Sequence, residues 1–243
     1  MTDNPETIYD PEYIKSLFDK MSKTYGLANY ISSFGFTERW RAACLNNLPS
    51  IAPNSVGYDL MTGMGEAWGH ILPKLNAEGK LIAVDISPVM MQKAALHREK
   101  VRNRAVEMVQ CDVLNNHFES NSADFVISTF GLKTFNDFQT RVLAREVNRL
   151  LKPGGSFSFV EISAPKGWIL HGLYLFYLKK IIPLIGKLFL NSADEYRMLG
   201  VYCQKFENCQ KFATYLMNEG LDVTYKSYFF GCATGVVGRK TKK

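Results

Sequence analysis

Val56 to Asp85, VGYDLMTGMGEAWGHILPKLNAEGKLIAVD, is the stretch from which the rest of the fold follows. Val56 to Met61 is a short apolar run with a β-branched start, and Gly63 and Gly65 interrupt it. Glu66 to Leu75 then carries apolar residues at helical spacing before Leu81 to Val84 returns as a second buried strand. Two such strands joined by one helix lie parallel, with a right-handed crossover. At the first turn the missing side chains let backbone N–H groups approach a ligand, and the N-terminus of the following helix faces the same spot. Asp85 ends the second strand about 20 residues after the glycines, where a carboxylate can accept both hydroxyls of a ribose. The plainer reading of the same residues is a tight turn followed by a solvated aspartate. A full dinucleotide fingerprint would put a third glycine where Trp68 stands, so a smaller nucleoside suits this loop better than a pyrophosphate.

The 243 residues suffice for one large domain or two small ones. Their hydrophobic share of 47% is that of an ordinary globular chain. The net charge of +6 comes from scattered basic residues and a short Arg239, Lys240, Lys242, Lys243 tail. No aromatic-rich RNA-binding pattern accompanies the tail, so no nucleic-acid partner is expected. Five cysteines, Cys44, Cys111, Cys203, Cys209 and Cys232, have no paired metal spacing and an odd number. They read as reduced thiols in a cytoplasmic protein with no metal site. The N-terminus, MTDNPETIYD, shows neither a secretory signal nor an Arg-rich transit peptide.

Trp168 to Leu190, WILHGLYLFYLKKIIPLIGKLFL, is long enough to span a bilayer, but His171, Lys179, Lys180, Pro183 and Lys187 interrupt it. Two amphipathic helices broken near Pro183 fit better than a spanning one. They would form a lid over an apolar site, a peripheral membrane contact or ordinary core helices.

Residues 8 to 48 look helical, with Ile14, Leu17, Phe18 and Met21 on one face. Tyr25, Tyr30, Phe34, Phe36 and Trp40 follow and pack this extension or line a pocket. After Asp85, Ser87 caps a helix running to Lys100, with Pro88 in its first turn. Val106 to Gln110 is the third strand, with Asp112 just beyond it, and Ala123 to Thr129 the fourth. Phe135 to Leu151 is a helix ended by Lys152, Pro153, Gly154 and Gly155, and Ser156 to Ile162 is the fifth strand. A helix from about Cys209 to Glu219 precedes two strands, Leu221 to Phe229 and Cys232 to Gly238. The expected fold is α/β: a doubly wound, Rossmann-like, mostly parallel seven-stranded sheet with a C-terminal antiparallel hairpin. One domain covers the chain: a helical extension (1–50), a core (51–163), a helical insert or lid (164–207), and the last helix with the hairpin (208–243). Gly63 to Gly65, Asp85, Asp112 and Thr129 all fall at the carboxyl ends of strands, where such sheets bind ligands.

This order of segments resembles the class I S-adenosylmethionine-dependent methyltransferases, and more narrowly the ubiquinone/menaquinone biosynthesis C-methyltransferases. The matching segments are DLMTGMG (59–65), AVDISPVMMQKA (83–94), CDV (111–113), FGLKTFND (130–137), EVNRLLKPGG (146–155), FYLKKIIPLIGKLF (176–189) and EYRMLG (195–200), with SFGFTERW (33–40) near the start. The resemblance implies S-adenosyl-L-methionine as cofactor. It places the methionine portion on Asp59, Met61, Gly63, Met64 and Gly65, the ribose on Asp85 beside Ile86, the adenine edge on Asp112 and Val113, and the transferred methyl beside Thr129. The chain departs from the family at Met64 and Gly26, where Thr and Asp are usual, and at Lys133 and Thr134, where Arg-Asn follows FGL. Tyr202 and Gln204 replace a further Ser and Arg. The substrate half has thus diverged more than the cofactor half.

Methyl transfer from a sulfonium is an in-line displacement, so the protein must align the nucleophile and exclude water. An aromatic carbon gains the needed electron density when a neighbouring ring hydroxyl is deprotonated. Lys133, assisted by Thr134, is the candidate to orient that hydroxyl or stabilise the phenolate, and Tyr196, Arg197 and Tyr25 are further candidates to close the site; each also has a surface or packing reading. The acceptor is expected to be a small lipophilic molecule of quinol type. A polyketide, indole or isoprenoid acceptor, or cofactor binding without methyl transfer, are the competing readings. A homodimer is compatible with the sequence.

Overall fold

The carboxyl ends of four parallel strands define the edge on which the site is built. β1 (Val56–Leu60) pairs in parallel with β2 (Lys80–Asp85) on one side and β4 (Ala123–Thr129) on the other. β3 (Val106–Gln110) extends the sheet beyond β2, and β5 (Leu151–Ile162) beyond β4. β7 (Ala233–Lys240) runs antiparallel to both β5 and β6 (Leu221–Tyr228). The complete order is β3-β2-β1-β4-β5-β7-β6, a seven-stranded sheet of Rossmann-like type. The chain order reverses between β1 and β4, and a crevice opens at such a point because the crossovers leave in opposite directions. This computed structural model describes residues 7–22, 35–49, 51–100, 105–165, 171–181 and 193–242.

Alternation along the strands fills both faces. Tyr58, Leu60, Ile82, Val84 and Val126 face one core layer with α5 (Asp137–Leu150) and α8 (Gln210–Asn218). Leu81, Ala83, Phe125 and Ile127 face the other, with Leu45 of α2 (Phe36–Asn46). Period-two burial on both sides is why these strands read as nearly unbroken apolar runs. Gly57 is needed for this packing, because a Cβ there would lie 1.9 Å from the Phe125 ring.

Several element ends differ from expectation. The helix expected over Glu66 to Leu75 is one turn, α3 (Trp68–Ile71), continued by a 3₁₀ turn over Leu72–Lys74. Pro73 lacks the N–H that an α-helix would use there, which holds the second part to the tighter turn. β1 stops at Leu60 because Met61 turns into the left-handed region, with φ 57°. β5 begins at Leu151, with Lys152 to Gly155 bulging out between the paired residues Leu151 and Ser156. Phe229 belongs to a 3₁₀ turn rather than to β6.

Ser87 caps α4 (Pro88–Lys100) as expected, its hydroxyl accepting from Met90 N at 3.0 Å. The extension supplies α1 (Pro11–Met21), packed on α4 and on α7 (Ala193–Phe206). Of the insert, α6 (His171–Phe176) and a π-helical turn over Tyr177–Ile181 are described. The helix break near Pro183, and the aromatic residues Tyr25, Tyr30 and Phe34, lie outside the described residues. Among those described, no helix is long and apolar enough to cross a membrane.

Candidate functional site

A cavity of about 900 Å³, counting its open mouth, lies over the reversal point. Its floor is the strand ends and the turns after them: Met61 to Gly63 after β1, Asp85 and Ile86 after β2, Cys111 to Leu114 after β3, and Thr129 to Gly131 after β4. Its wall comes from the extension, through Tyr9, Ile14 and Phe18, and from Arg41 of α2. Sequence order scatters these residues, and the parallel topology brings them together because every βα turn leaves the sheet on the same edge.

Asp85 organises the glycine turn. Its carboxylate accepts from Gly63 N at 2.8 Å and from Ser87 N at 2.9 Å, so each oxygen holds one backbone donor and keeps lone-pair capacity for a ligand. Burial pushes its carboxyl up to about 6, against the lowering effect of those two N–H groups. The side chain nonetheless remains part-exposed on the cavity side. Asp112 lines the same cavity and also accepts from Leu114 N, at 2.9 Å. The backbone N–H of Thr62 donates to Val84 O at 2.9 Å, which locks the glycine turn to the end of β2.

Asp59 is placed differently. It is 1% exposed, does not line the cavity, and accepts from Thr62 Oγ1 at 2.5 Å and Trp68 Nε1 at 3.2 Å. Its carboxyl is pushed up to about 7 by burial, which these two hydrogen bonds oppose. Its work is to order the loop from beneath. Gly65 takes φ 84° directly above the Trp68 ring, where a Cβ would come within 2.6 Å. Met64 is also off the cavity: it packs against the α1 and α7 cluster, and its carbonyl meets His97 Nδ1 at 3.2 Å.

Of the residues expected at the cofactor, Met61, Gly63, Asp85, Ile86, Asp112, Val113 and Thr129 come together around the cavity, and Asp59, Met64 and Gly65 stand behind it. Of those expected at the acceptor, Thr134 lines the cavity, its hydroxyl donating to Gly131 O at 2.7 Å. Lys133, expected to face the acceptor, does not. Its Nζ donates to Glu161 Oε1 at 2.9 Å and to Phe130 O at 2.8 Å, with side chains 2% and 0% exposed. Glu161 also accepts from Lys133 N at 3.0 Å, so the pair staples the turn after β4 to the end of β5. The physical reason is that an unpaired Glu161 at this depth would be very costly, and Lys133 is the cation within reach. Tyr196 lies on α7, but its side chain is outside the described residues, and Arg197 is exposed.

Sequence reading overlooked Glu66, whose carboxylate accepts from Met64 N at 3.0 Å, and Gln139, which donates to Tyr9 O at 3.0 Å. It also overlooked Arg41. Arg41 falls among the buried positions Trp40, Cys44 and Leu45 of its helix, and a charge at such a position is a usable signal in that last case. Two non-glycine residues in the left-handed region, Met61 (φ 57°) and Phe130 (φ 68°), close β1 and β4 side by side, and strain of this kind gathers at functional sites. A Cβ on Gly131 would come within 2.7 Å of the Met61 side chain.

The lining suits an adenosyl amino acid. It offers three carboxylates, backbone donors and one guanidinium whose buried Nε has no hydrogen-bond partner. Comparisons with known proteins agree. The profile of the ubiE/COQ5 methyltransferase family matches residues 6–240. The chain is 28% identical over 230 residues to a demethylmenaquinone methyltransferase of Bacillus cereus, covering 94% of this chain and 96% of that one. Among solved structures it superposes on a SAM-dependent methyltransferase from Aquifex aeolicus with TM-score 0.55, at 16% identity, over 82% of this chain and 88% of that one. It also superposes on a Haemonchus contortus phosphoethanolamine N-methyltransferase in complex with S-adenosyl-L-methionine, with TM-score 0.61, at 15% identity, over 84% and 52% of the two chains. At these identities the structural likeness is one of fold.

Proposed function

The chain belongs to the ubiE/COQ5 methyltransferase family, and on that premise we propose that it methylates a ring carbon of a lipophilic, quinol-type acceptor. The methyl donor is S-adenosyl-L-methionine, which when bound supplies an electrophilic methyl on a sulfonium. The observation that carries the acceptor class is the mixed lining of one cavity: carboxylates and backbone donors at the ends of β2 and β3, and Ile14, Phe18, Phe130 and Phe135 around the remainder. A polar nucleoside and an apolar ring could share such a space. The name of the Bacillus cereus relative, a demethylmenaquinone methyltransferase, supports the same class.

The chain's own part is alignment and exclusion of water. Asp85, prearranged by the N–H groups of Gly63 and Ser87, would accept the ribose hydroxyls. Asp112 and Val113, which line the cavity, would border the adenine edge, and Thr129 would border the reacting methyl. Thr134 spends its proton on Gly131 O, so its oxygen is left to accept from a ring hydroxyl and orient it. All five cysteines are unpaired thiols, which supports a cytoplasmic setting. Leu173 and Phe176 of α6 are exposed and support contact with the membrane surface where a lipophilic acceptor resides.

The test is calorimetric titration with S-adenosyl-L-methionine, then mass spectrometry of a demethylated naphthoquinol incubated with donor and enzyme. Micromolar binding and a product heavier by one methylene on the ring support the reading. Failure of the well-folded protein to bind the donor would sink it. The sealing of Lys133 by Glu161 favours a second reading, in which donor binds but a polyketide, indole or isoprenoid takes the methyl. Donor turnover with those acceptors and none with quinols would select it.

A further inference from the structure

Among the described residues lining the cavity, Arg41 is the one cation, set against the carboxylates of Glu66, Asp85 and Asp112. Its side chain is 9% exposed, and its counter-ion, Glu38, is half-exposed. One terminal nitrogen, Nη1, donates to Glu38 Oε2 at 2.5 Å, and Glu38 is half-exposed and shared with His70 Nε2, also at 2.5 Å. The Nε is buried and, with Ser128 Oγ, is one of two buried side-chain polar atoms among the described residues that have no hydrogen-bond partner. Leaving such a donor unmet is costly, and more so when it carries charge. The guanidinium stands 5.4 Å from the centre of the Phe130 ring, which fixes it over the turn that ends β4. Asp59 feels it electrostatically but gives it no hydrogen bond, since its close partners are Thr62 and Trp68.

An adenosyl amino-acid donor brings two cations, the ammonium and the sulfonium, and one anion, the carboxylate. The three lining carboxylates can complement the cations and the ribose, whereas none can accept the anion. Resting on the methyl-donor reading above, we propose that Arg41 is the receptor for the α-carboxylate of the donor's methionine part, with Nε as a donor held in reserve for it. A guanidinium presents adjacent N–H groups in a fixed fork that matches a carboxylate, which an ammonium cannot reproduce. The site therefore recognises an amino acid joined to a nucleoside, rather than a nucleoside alone. Glu38 limits the conformations of Arg41 without consuming Nε.

Two ligands and two variants test this. S-adenosyl-L-methionine and its decarboxylated analogue, which lacks only the carboxylate, are titrated calorimetrically into wild type, Arg41→Met and Arg41→Lys. The expected result is a loss of roughly 10- to 100-fold in affinity for the intact donor in Arg41→Met, the effect of losing a charge-assisted hydrogen bond. Arg41→Lys recovers part of that loss, and the decarboxylated analogue binds wild type and Arg41→Met alike. Thermal denaturation of the ligand-free variants provides the folding control: only a modest change is expected, because the bond lost is the one from Nη1 to the half-exposed Glu38. Equal donor affinity in wild type and Arg41→Met overturns the proposal. So does an equal loss for both ligands, which would mark Arg41 as part of the framework. Unchanged donor affinity with a raised KM for the acceptor also overturns it, and reassigns the charge to an ionised acceptor oxygen. If wild type binds neither ligand, the methyl-donor reading itself falls, and this inference with it.

Discussion

Asp85 and Glu161 are both carboxylates at the carboxyl edge of one sheet, on β2 and β5, flanking the two strands between which the chain order reverses. Their surroundings make them opposites. Asp85 is held by two backbone N–H groups and keeps one side on the cavity; Glu161 is wholly covered and spends its charge on Lys133. Backbone donors orient a carboxylate without cancelling its charge, so it stays available to a ligand. A lysine ammonium cancels the charge and closes the position. A charged residue at a strand end is therefore a binding group only where the fold withholds its counter-ion.

The sharpest way to break this contrast is Lys133→Met. It should destabilise the protein by about 3–5 kcal/mol in urea unfolding, because Glu161 is left charged and buried, and the double variant with Glu161→Leu should regain most of the loss. Wild-type stability with methyl transfer abolished would return Lys133 to the chemistry. Gly65→Ala comes next, at about 1–3 kcal/mol, since it combines a left-handed backbone with a collision on Trp68. Gly69→Ala, four residues on and with no atom within 4 Å of the added Cβ, serves as its control. Equal effects at the two glycines would show that loop shape is not what Gly65 protects.

On the open side, Asp85→Asn should lower ligand-free stability by about 1 kcal/mol, because the single amide oxygen can accept from only one of Gly63 N and Ser87 N, while donor affinity falls by about 10-fold. A larger fall in stability than in affinity would make Asp85 a framework residue like Glu161. The mildest effect is in pH. Asp59 and Asp85 have folded-state carboxyls raised to about 7 and about 6, so the folded protein binds more protons than the unfolded chain above about pH 4. Their contribution to stability is present in full below about pH 4 and is lost as pH rises through 6 and 7. Donor affinity should run the other way, weakening as pH falls through about 6 and Asp85 loses its charge. Thermal denaturation and calorimetry from pH 5 to 8 would reveal the opposed trends, and a donor affinity flat across that range would mean that the ionised Asp85 does not bind it.

Much of the fold was legible because it rests on local rules. Period-two burial, the glycines at 63 and 65 and the Ser87 cap each act within a few residues, and together they yield strands, turn and helix in the right order. The one-turn helix after Gly65 was misjudged because its apolar spacing is helical while Pro73 and packing under Leu45 and Leu72 decide its length. At the site, Gly63, Asp85, Asp112 and Thr129 were legible as strand-end positions, and the fold gathers them around one cavity. Arg41 and Gln139 were missed because they reach the cavity from helices whose approach no local pattern encodes.

The amino-acid sequence by itself determined the strand and helix order, the place of the glycine turn and the carboxylate that follows it, because these depend on backbone geometry and the spacing of apolar residues. Only the tertiary structure decided which charges are open to a ligand. Lys133 meets Glu161 across 28 residues of chain, while Arg41 keeps an unmet donor beside Phe130. Whether a charge is answered depends on what packs against it from distant segments, and that is settled by the fold as a whole.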